Sequence, residues 1–509
     1  MTLLLGVDLG TTAIKAGLYE PTGALVAGGT REQVLSTPSP GEVEFDPEHY
    51  WAAFADLVSQ LAQAAPGGPG DIVGLALSVQ GETLVAADTN GRAVRPAIVW
   101  LDNRATAESD LLCARFGNEA IFEVTGQTEM LPTWPAPKIL WVRNNEPDTF
   151  RRTTRWLLLD DFFVQRLTGE VWCEGSLATS TCYWNLSTRQ WWPEMLEAIG
   201  IEASQLPAIG ESGHPVGTLR AGVAQELGLR PQTVVSLGAL DQACGAIGVG
   251  NIRPGVFSEN TGAALAVCAT VDHPVLDPQR RMPCHYHALA GMYMLHTFTS
   301  GGIVLRWWRD AFTRSGGSGN RASMSYDELA AAAASVSAGA EGVMVVPHLQ
   351  GAMAPDPNPH ASAAITGLRL HHGQPHVVRA ILESIAYVVR RNLEALAEMG
   401  ISVDEIRALG GGAKSPLWKQ IEASVTGVPV VTTTCAEPAT LGAAMLAGTG
   451  AAVFDDLGAA MVSAVRTAVR YEPDPKDRYV YQEGYARYCE LSTALGRFSD
   501  RHRELIDAV

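Results

Sequence analysis

Twice in this chain an apolar run enters a turn carrying Gly and Thr and emerges directly into a second apolar run. The first instance is Leu3-Leu4-Leu5-Gly6-Val7, then Asp8-Leu9-Gly10-Thr11-Thr12, then Ile14 to Tyr19 with alternating character. The second, near residue 250, is Val256-Phe257-Ser258-Glu259-Asn260-Thr261-Gly262 followed by Ala263 to Val267. A strand, a tight turn and a strand that recur in this way predict two similar halves. The 509 residues, 47% hydrophobic and 18% charged, supply enough apolar material for two or three domains.

Between the repeats the pattern alternates. A helix is expected from Asp46, an N-cap with Pro47 at the first helical position, and Tyr50, Phe54, Leu57, Val58 and Leu61 form its apolar stripe up to the Pro66–Gly70 break. Strand-like runs lie at Ile72–Val79, Ile98–Trp100, Thr233–Leu237, Val256–Phe257, Gly342–Val346 and Ile406–Leu409, and a helical span covers Pro375–Met399. The mixture is α/β. The Gly/Ser-rich stretch Arg314–Arg321 reads as a surface loop.

Three turns carry chemistry. In Asp8-Leu9-Gly10-Thr11-Thr12, glycine lets backbone amides and hydroxyls face one point beside a carboxylate, which suits phosphate and Mg²⁺; a hairpin whose Asp and Thr cap their own backbone fits equally. Gly410-Gly411-Gly412-Ala413-Lys414-Ser415 follows a strand and opens a helix, where the dipole favours an anion; a flexible turn is the plainer reading. Asp241, in Gly238-Ala239-Leu240-Asp241-Gln242, sits between a strand and a helix, where open α/β sheets collect ligands. A hydroxyl is a poor nucleophile until something accepts its proton, and a carboxylate can do so; a lone Asp there also serves as a helix cap. No GxxxxGK[ST] and no strand-linked GxGxxG is present.

Together these residues resemble the FGGY carbohydrate kinases, part of the actin-like and hexokinase-like ATPase superfamily. The segment Ala363-Ala364-Ile365-Thr366-Gly367-Leu368, with His376-Val377-Val378-Arg379-Ala380-Ile381-Leu382-Glu383 after it, fits the family's second signature. Pro135, Lys138, Ile139, Trp141, Val142, Asn144 and Asn145 match the first, with Thr133 at its leading position. The resemblance implies two ribonuclease H-like domains of the actin/hexokinase type with the active site in the cleft between them. Residues 1–247 would bind sugar, 248–450 nucleotide, and 451–509 would form a helical segment packed on both.

The resemblance also implies roles. Asp241 would be the catalytic base and, with Asp8, would hold Mg²⁺. Gly10, Thr11, Thr12, Lys15, Thr261, Gly262, Gly411, Gly412, Ala413 and Ser415 would bind ATP. Gln80, Gly81, Glu82, Asp102, Arg104, Trp134, Asp241 and Gln242 would bind the acceptor. Gln80-Gly81-Glu82-Thr83 is similar to the glycerol kinases' Asn-Gln-Arg-Glu-Thr with Gly81 in place of arginine, and Trp100-Leu101-Asp102-Asn103-Arg104 to a Trp-x-Asp-x-Arg segment of glycerol kinases and xylulokinases. Pro135–Trp141 and the tyrosines Tyr479, Tyr481, Tyr485 and Tyr488 are closer to xylulokinases, yet the Met-His pair of those enzymes is absent. Met353 and Ser362 depart from the family's usual Gly-Glu-Arg-Thr-Pro and Ala-Arg-Gly.

The expected activity is transfer of the ATP γ-phosphoryl group to a hydroxyl of a small ketose or polyol, with D-xylulose as first acceptor and glycerol, erythritol or another keto-sugar as alternatives. A degenerate sugar-sensing module, an ATP-dependent chaperone and an actin-like filament protein are the readings outside the class. A net charge of −17 disfavours nucleic-acid and anionic-membrane partners. The eight cysteines show no CxxC pair, and with no signal-peptide pattern at the N-terminus they fit a cytoplasmic, reduced protein. A homodimer is the assembly considered. His285 and His287 could share a strand face as metal ligands, but a structural strand accounts for them; Trp191, Trp192, Trp307 and Trp308 are expected to fill core, and Cys244 to pack in a helix.

Overall fold

The computed structural model describes residues 1–313 and 324–502, and the stretch read as a surface loop at Arg314–Arg321 lies outside them. The chain forms two compact units: Met1–Ile252, Thr270–Met294 and Glu437–Arg466, and then Arg253–Ala269, Leu295–Ala436 and Thr467–Val509. These units interleave along the chain, so they are cut differently from the linear spans 1–247, 248–450 and 451–509. No helix among the described residues is long and apolar enough to cross a membrane.

The first unit is built on a sheet in the order Pro215–Thr218, Val234–Ser236, Ile72–Val79, Leu3–Leu9, Ala13–Tyr19, Leu25–Glu32. Leu3–Leu9 runs antiparallel to Ala13–Tyr19 and parallel to Ile72–Val79, which Ala239–Leu240 also joins in parallel. Helices cover both faces of the central strands, which is why Leu3–Leu9 and Ile72–Val79 are nearly continuous apolar runs rather than alternating ones. On one face lies Pro47–Ala64, capped by the Asp46 carboxylate on the Glu48 amide at 2.9 Å and burying Tyr50, Phe54, Leu57, Val58 and Leu61 as the sequence predicts.

On the other face lie Asp241–Gly248 and Pro438–Gly450. The second of these, rich in Ala and Gly, approaches at backbone distance: a Cβ on Gly6 would fall 1.9 Å from the Thr440 carbonyl oxygen, and one on Gly442 2.1 Å from that of Cys244. That contact ties Glu437–Arg466 to the first unit although it lies in the chain between two of the second unit's strands, Val430–Thr433 and Thr467–Tyr471. A small sheet of Glu44–Phe45, Ala97–Ile98, Leu84–Ala87 and Arg155–Leu158 stands beside the main one, and Gln80–Thr83 links Ile72–Val79 to it.

The second unit's sheet runs Tyr293–Ser300, Ala264–Val271, Val256–Thr261, Glu405–Leu409, Val430–Thr433, Thr467–Tyr471. Val256–Thr261 repeats the placement of Leu3–Leu9, with an antiparallel hairpin partner on one side and a parallel strand on the other. It runs beyond the expected Val256–Phe257 into Ser258-Glu259-Asn260-Thr261 because a cation meets its carboxylate. The Lys419 ammonium, fully buried, contacts Glu259 and Glu422. The signature residues Arg379 and Glu383 pair within the helix Gln374–Glu398 at 2.8 Å, and Arg379 donates to Tyr481 of the helix Arg478–Arg501 at 2.7 Å.

Gly6→Ala should lower the unfolding free energy by about 1–3 kcal/mol, because overpacking against a helix backbone has no flexible atom to absorb it. Urea unfolding checks this, and an unchanged midpoint would contradict the close approach.

Candidate active site

In the first unit three neighbouring strand ends bring the sequence-selected residues together. Asp8 lies in Leu3–Leu9, paired with Ser78 of Ile72–Val79, whose hydroxyl donates to Asp8 Oδ1 at 2.7 Å. Glu82 follows Ile72–Val79. Asp241 follows Ala239–Leu240 and opens the helix Asp241–Gly248, with its Oδ1 accepting from the Gln242 amide at 2.6 Å.

Burial pushes all three carboxyls up, and Asp8 and Asp241 also meet repulsion from other carboxylates, Glu437 for Asp8 and then Asp8 and Glu82 for Asp241. Asp8 rises to about 6 and Asp241 to about 7, the latter by burial first and then by Asp8 and Glu82. Burial also raises Glu82, against the attraction of Lys138 and a hydrogen bond with Ser180. A cluster of hard oxygen donors whose negative charge is incompletely offset suits a divalent cation such as Mg²⁺, and a carboxylate near 7 suits proton transfer at neutral pH.

The turn after Asp8 is tied to the acceptor segment. Thr11 donates to Gln80 Oε1 at 2.9 Å, the Trp100 indole donates to Thr11 at 2.7 Å, and the Tyr50 hydroxyl donates to the Gly10 carbonyl at 2.7 Å. Thr12 is exposed, and Lys15 pairs with Glu437 at 2.8 Å at the surface. A Cβ on Gly81 would meet Leu240 at 3.0 Å and Ser180 at 3.4 Å, so this position is closed to the arginine of glycerol kinases without a shift of the residue beside Asp241.

Asp102 and Arg104 form an ion pair inside the protein. Asp102 is fully buried; its oxygens accept from the Val43 amide at 2.6 Å, the Arg104 amide at 2.9 Å and the Arg104 guanidinium at 2.7 Å. Arg104 also reaches Glu44 at 2.8 Å and stacks 4.9 Å from the Trp141 ring centre. Their polar atoms are engaged inside the protein. Trp134 is half-buried, its indole donating to the Glu129 carbonyl at 3.0 Å.

In the second unit the parallel strands Val256–Thr261 and Glu405–Leu409 pair Asn260 with Leu409, which puts Thr261-Gly262 and Gly410-Gly411-Gly412 at one sheet end. A Cβ on Gly412 would strike Thr261 at 2.6 Å, whereas one on Gly411 would find only the Thr261 carbonyl at 3.8 Å. Gly411 thus leaves its backbone open to an approaching ligand. The Ser415 hydroxyl accepts from the Trp418 amide at 3.4 Å and caps Pro416–Thr426. Thr261 donates to Glu259, so the buried Lys419 charge anchors the loop from below.

Against this geometry, the family model for the FGGY family of carbohydrate kinases, N-terminal domain, matches residues 3–248, and that for the C-terminal domain residues 268–451. The chain belongs to this family. A xylulose kinase from Bacillus subtilis is 28% identical over 506 residues, covering 98% of this chain and 99% of that protein. An autoinducer-2 kinase from Klebsiella pneumoniae is 30% identical over 501 residues, covering 96% of this chain and 93% of that protein. A solved gluconate kinase from Lactobacillus acidophilus matches with a TM-score of 0.89 at 28% identity, over 97% of this chain and 98% of that one. The FGGY chain described here is an ATP-dependent sugar kinase with the two-domain α/β fold of actin and hexokinase.

Residues that sequence reasoning missed lie beneath the site. Glu174, fully buried, accepts from the Ser176 amide at 2.8 Å, the Ser176 hydroxyl at 2.5 Å and the Ser212 hydroxyl at 2.7 Å, while Ser176 Oγ accepts from the Leu240 amide at 2.9 Å. This chain of bonds fixes the backbone just before Asp241. Its only sequence signal is a Glu ahead of a short helix, which reads as a cap.

Other candidates are structural. His285 lies 3.4 Å from Gln127 Nε2, and His287 accepts from the Leu289 amide at 3.1 Å. Trp192 is buried against Phe116, whereas Trp307 is 38% exposed and does not fill core as expected. Glu341, His371 and His372 bring ligand atoms within 4.8 Å of one another. His372 and its neighbour His376 accept backbone amides at Nδ1, however, which keeps the proton of each neutral ring on Nε2 and removes the lone pair a metal needs.

A carboxyl raised from its unfolded value near 4 holds a proton in the folded state, so its stabilising effect is present at low pH and is lost as pH climbs through the folded value. Asp8→Asn should therefore gain on the parent by about 1–2 kcal/mol between pH 5 and pH 8. Denaturant unfolding at both pH values checks this, and a pH-independent difference would contradict the buried-carboxylate geometry.

Proposed function

We propose that this kinase phosphorylates a small neutral ketose or polyol, with D-xylulose first, and that Asp241 accepts the proton of the attacking hydroxyl. The observation that carries the reading is the convergence of Asp8, Glu82 and Asp241 at neighbouring strand ends. As the hydroxyl oxygen bonds to the γ-phosphorus, its proton passes to Asp241 and ADP leaves with the bridging oxygen. Gln80 and Glu82 orient the acceptor, with Trp134 and Gln242 beside it. The amides of Gly10, Thr11 and Thr12 face the phosphates, while Thr261-Gly262, Gly411-Gly412-Ala413 and Ser415 receive the nucleotide. Mg²⁺, held by Asp8 and Asp241 when bound, supplies charge neutralisation of the phosphates.

Charge supports a neutral acceptor. Three carboxylates gather here, and the buried Lys138 ammonium beside them already donates to two backbone carbonyls. An aldonate would add a further negative charge to this cluster. Glycerol, erythritol or another keto-sugar form a second reading, favoured by Gln80-Gly81-Glu82 and by the absence of the xylulokinase Met-His pair there. A degenerate sensor is disfavoured because Asp8, Asp241 and both glycine loops are retained. Cytoplasmic ATP is the phosphoryl donor in this reading.

ADP release is measured with D-xylulose, D-ribulose, glycerol, erythritol and gluconate. Neutral acceptors should be turned over, with D-xylulose at least about tenfold above gluconate in kcat/KM, or about 1.4 kcal/mol. Gluconate equal to or better than every neutral compound would contradict the assignment.

A further inference from the structure

Lys138 is the longest side chain buried without exposure near the acceptor segment, and its placement is specific. It lies in the helix Pro135–Asn145, whose Ala136, Ile139 and Val142 are in the hydrophobic core. Its stem is therefore fixed by packing. Its Nζ donates to the Glu82 carbonyl at 3.0 Å and to the Val99 carbonyl at 2.9 Å.

Those two carbonyls belong to the segments that shape the acceptor side. Glu82 sits in the link Gln80–Thr83, and Val99 precedes Trp100, which holds Thr11, which in turn holds Gln80. Glu82 is also one of the few non-glycine residues with positive φ, at 55°. A side chain pays on the order of 1 kcal/mol for that left-handed backbone, so the surroundings must over-determine it. Two bonds do so: the Thr83 amide donates to the Gly81 carbonyl at 2.7 Å, closing the turn, and the Lys138 ammonium fixes the next carbonyl.

We propose that Lys138 is a positioning residue for the acceptor, acting through the Glu82 carbonyl to hold the Glu82 carboxylate in its left-handed pose towards the acceptor pocket. Without the ammonium the carbonyl would be buried unsatisfied, and the cheapest relief is rotation of the Glu82 backbone to negative φ, which re-aims its side chain. The inference rests on the reading of Glu82 as an acceptor-binding residue. Burial, which disfavours the ammonium, and the nearby Glu82 and Asp102 carboxylates, which favour it, oppose each other at Lys138.

The test compares Lys138→Met, which keeps the stem and removes the donors, with Glu82→Gln and the double variant, using the panel acceptor that the parent turns over fastest. Lys138→Met should raise the acceptor KM at least about tenfold while the ATP KM stays within about twofold, and its effect should be non-additive with Glu82→Gln. Unchanged acceptor KM, or additive effects with both KM values altered, would overturn the proposal and leave Lys138 a core residue only. If Glu82→Gln alone leaves the acceptor KM unchanged, the acceptor reading of Glu82 fails, and the proposal with it. Should Lys138→Met not fold, Lys138→Arg is measured in the same way. It keeps charge and donors but displaces them, so acceptor KM raised at constant ATP KM supports the proposal, and two unchanged KM values overturn it.

Discussion

Three parallel strand ends force carboxylates together, and much of the first unit follows from that repulsion. Asp8, Glu82 and Asp241 would each prefer water, and the fold holds them where burial raises their proton affinity and where Asp8 and Glu82 raise that of Asp241 further. Such an arrangement costs stability and persists only where the surroundings fix it. Here they do: Ser78 on Asp8, the Glu174–Ser176–Leu240 bonds behind Asp241, and the buried Lys138 beneath Glu82. Phosphoryl transfer calls for such a set, a base ready near neutral pH and oxygen donors for a cation.

The second unit solves a different problem with the same local design. Its first strand carries Glu259 in the interior, and the Lys419 ammonium offsets it. Breaking such a pair by removing one partner is strongly destabilising, so the pair pins Thr261 and thereby the loop at Gly410–Gly412. The recurrence of hairpin plus parallel neighbour in both units gives each a strand end where backbone amides are available to a ligand.

The repeats, the glycine loops and the position of Asp241 were legible because each is a local pattern of residue types within a few positions. The helix Pro47–Ala64 and the strand Ile72–Val79 match their expected bounds closely because period and capping decide them. Long-range matters were not legible. Nothing near Glu174 says that it supports residue 240, and nothing in Asp102-Asn103-Arg104 says that both charges are buried against Glu44 and Trp141. Likewise, the return of Pro438–Gly450 to the first sheet depends on Gly6 and Gly442 meeting backbone atoms far away in sequence. By its sequence pattern Glu259 falls in a turn, because a charged residue in a buried strand makes sense only with Lys419 beside it.

The proposed function turns on transfer of the acceptor's proton to Asp241. The most direct measurement is turnover of Asp241→Asn beside its ATP affinity, the latter followed by calorimetry. Loss of turnover by about a thousandfold or more with ATP affinity within about threefold of the parent is the result predicted. Turnover near that of the parent would contradict the claim.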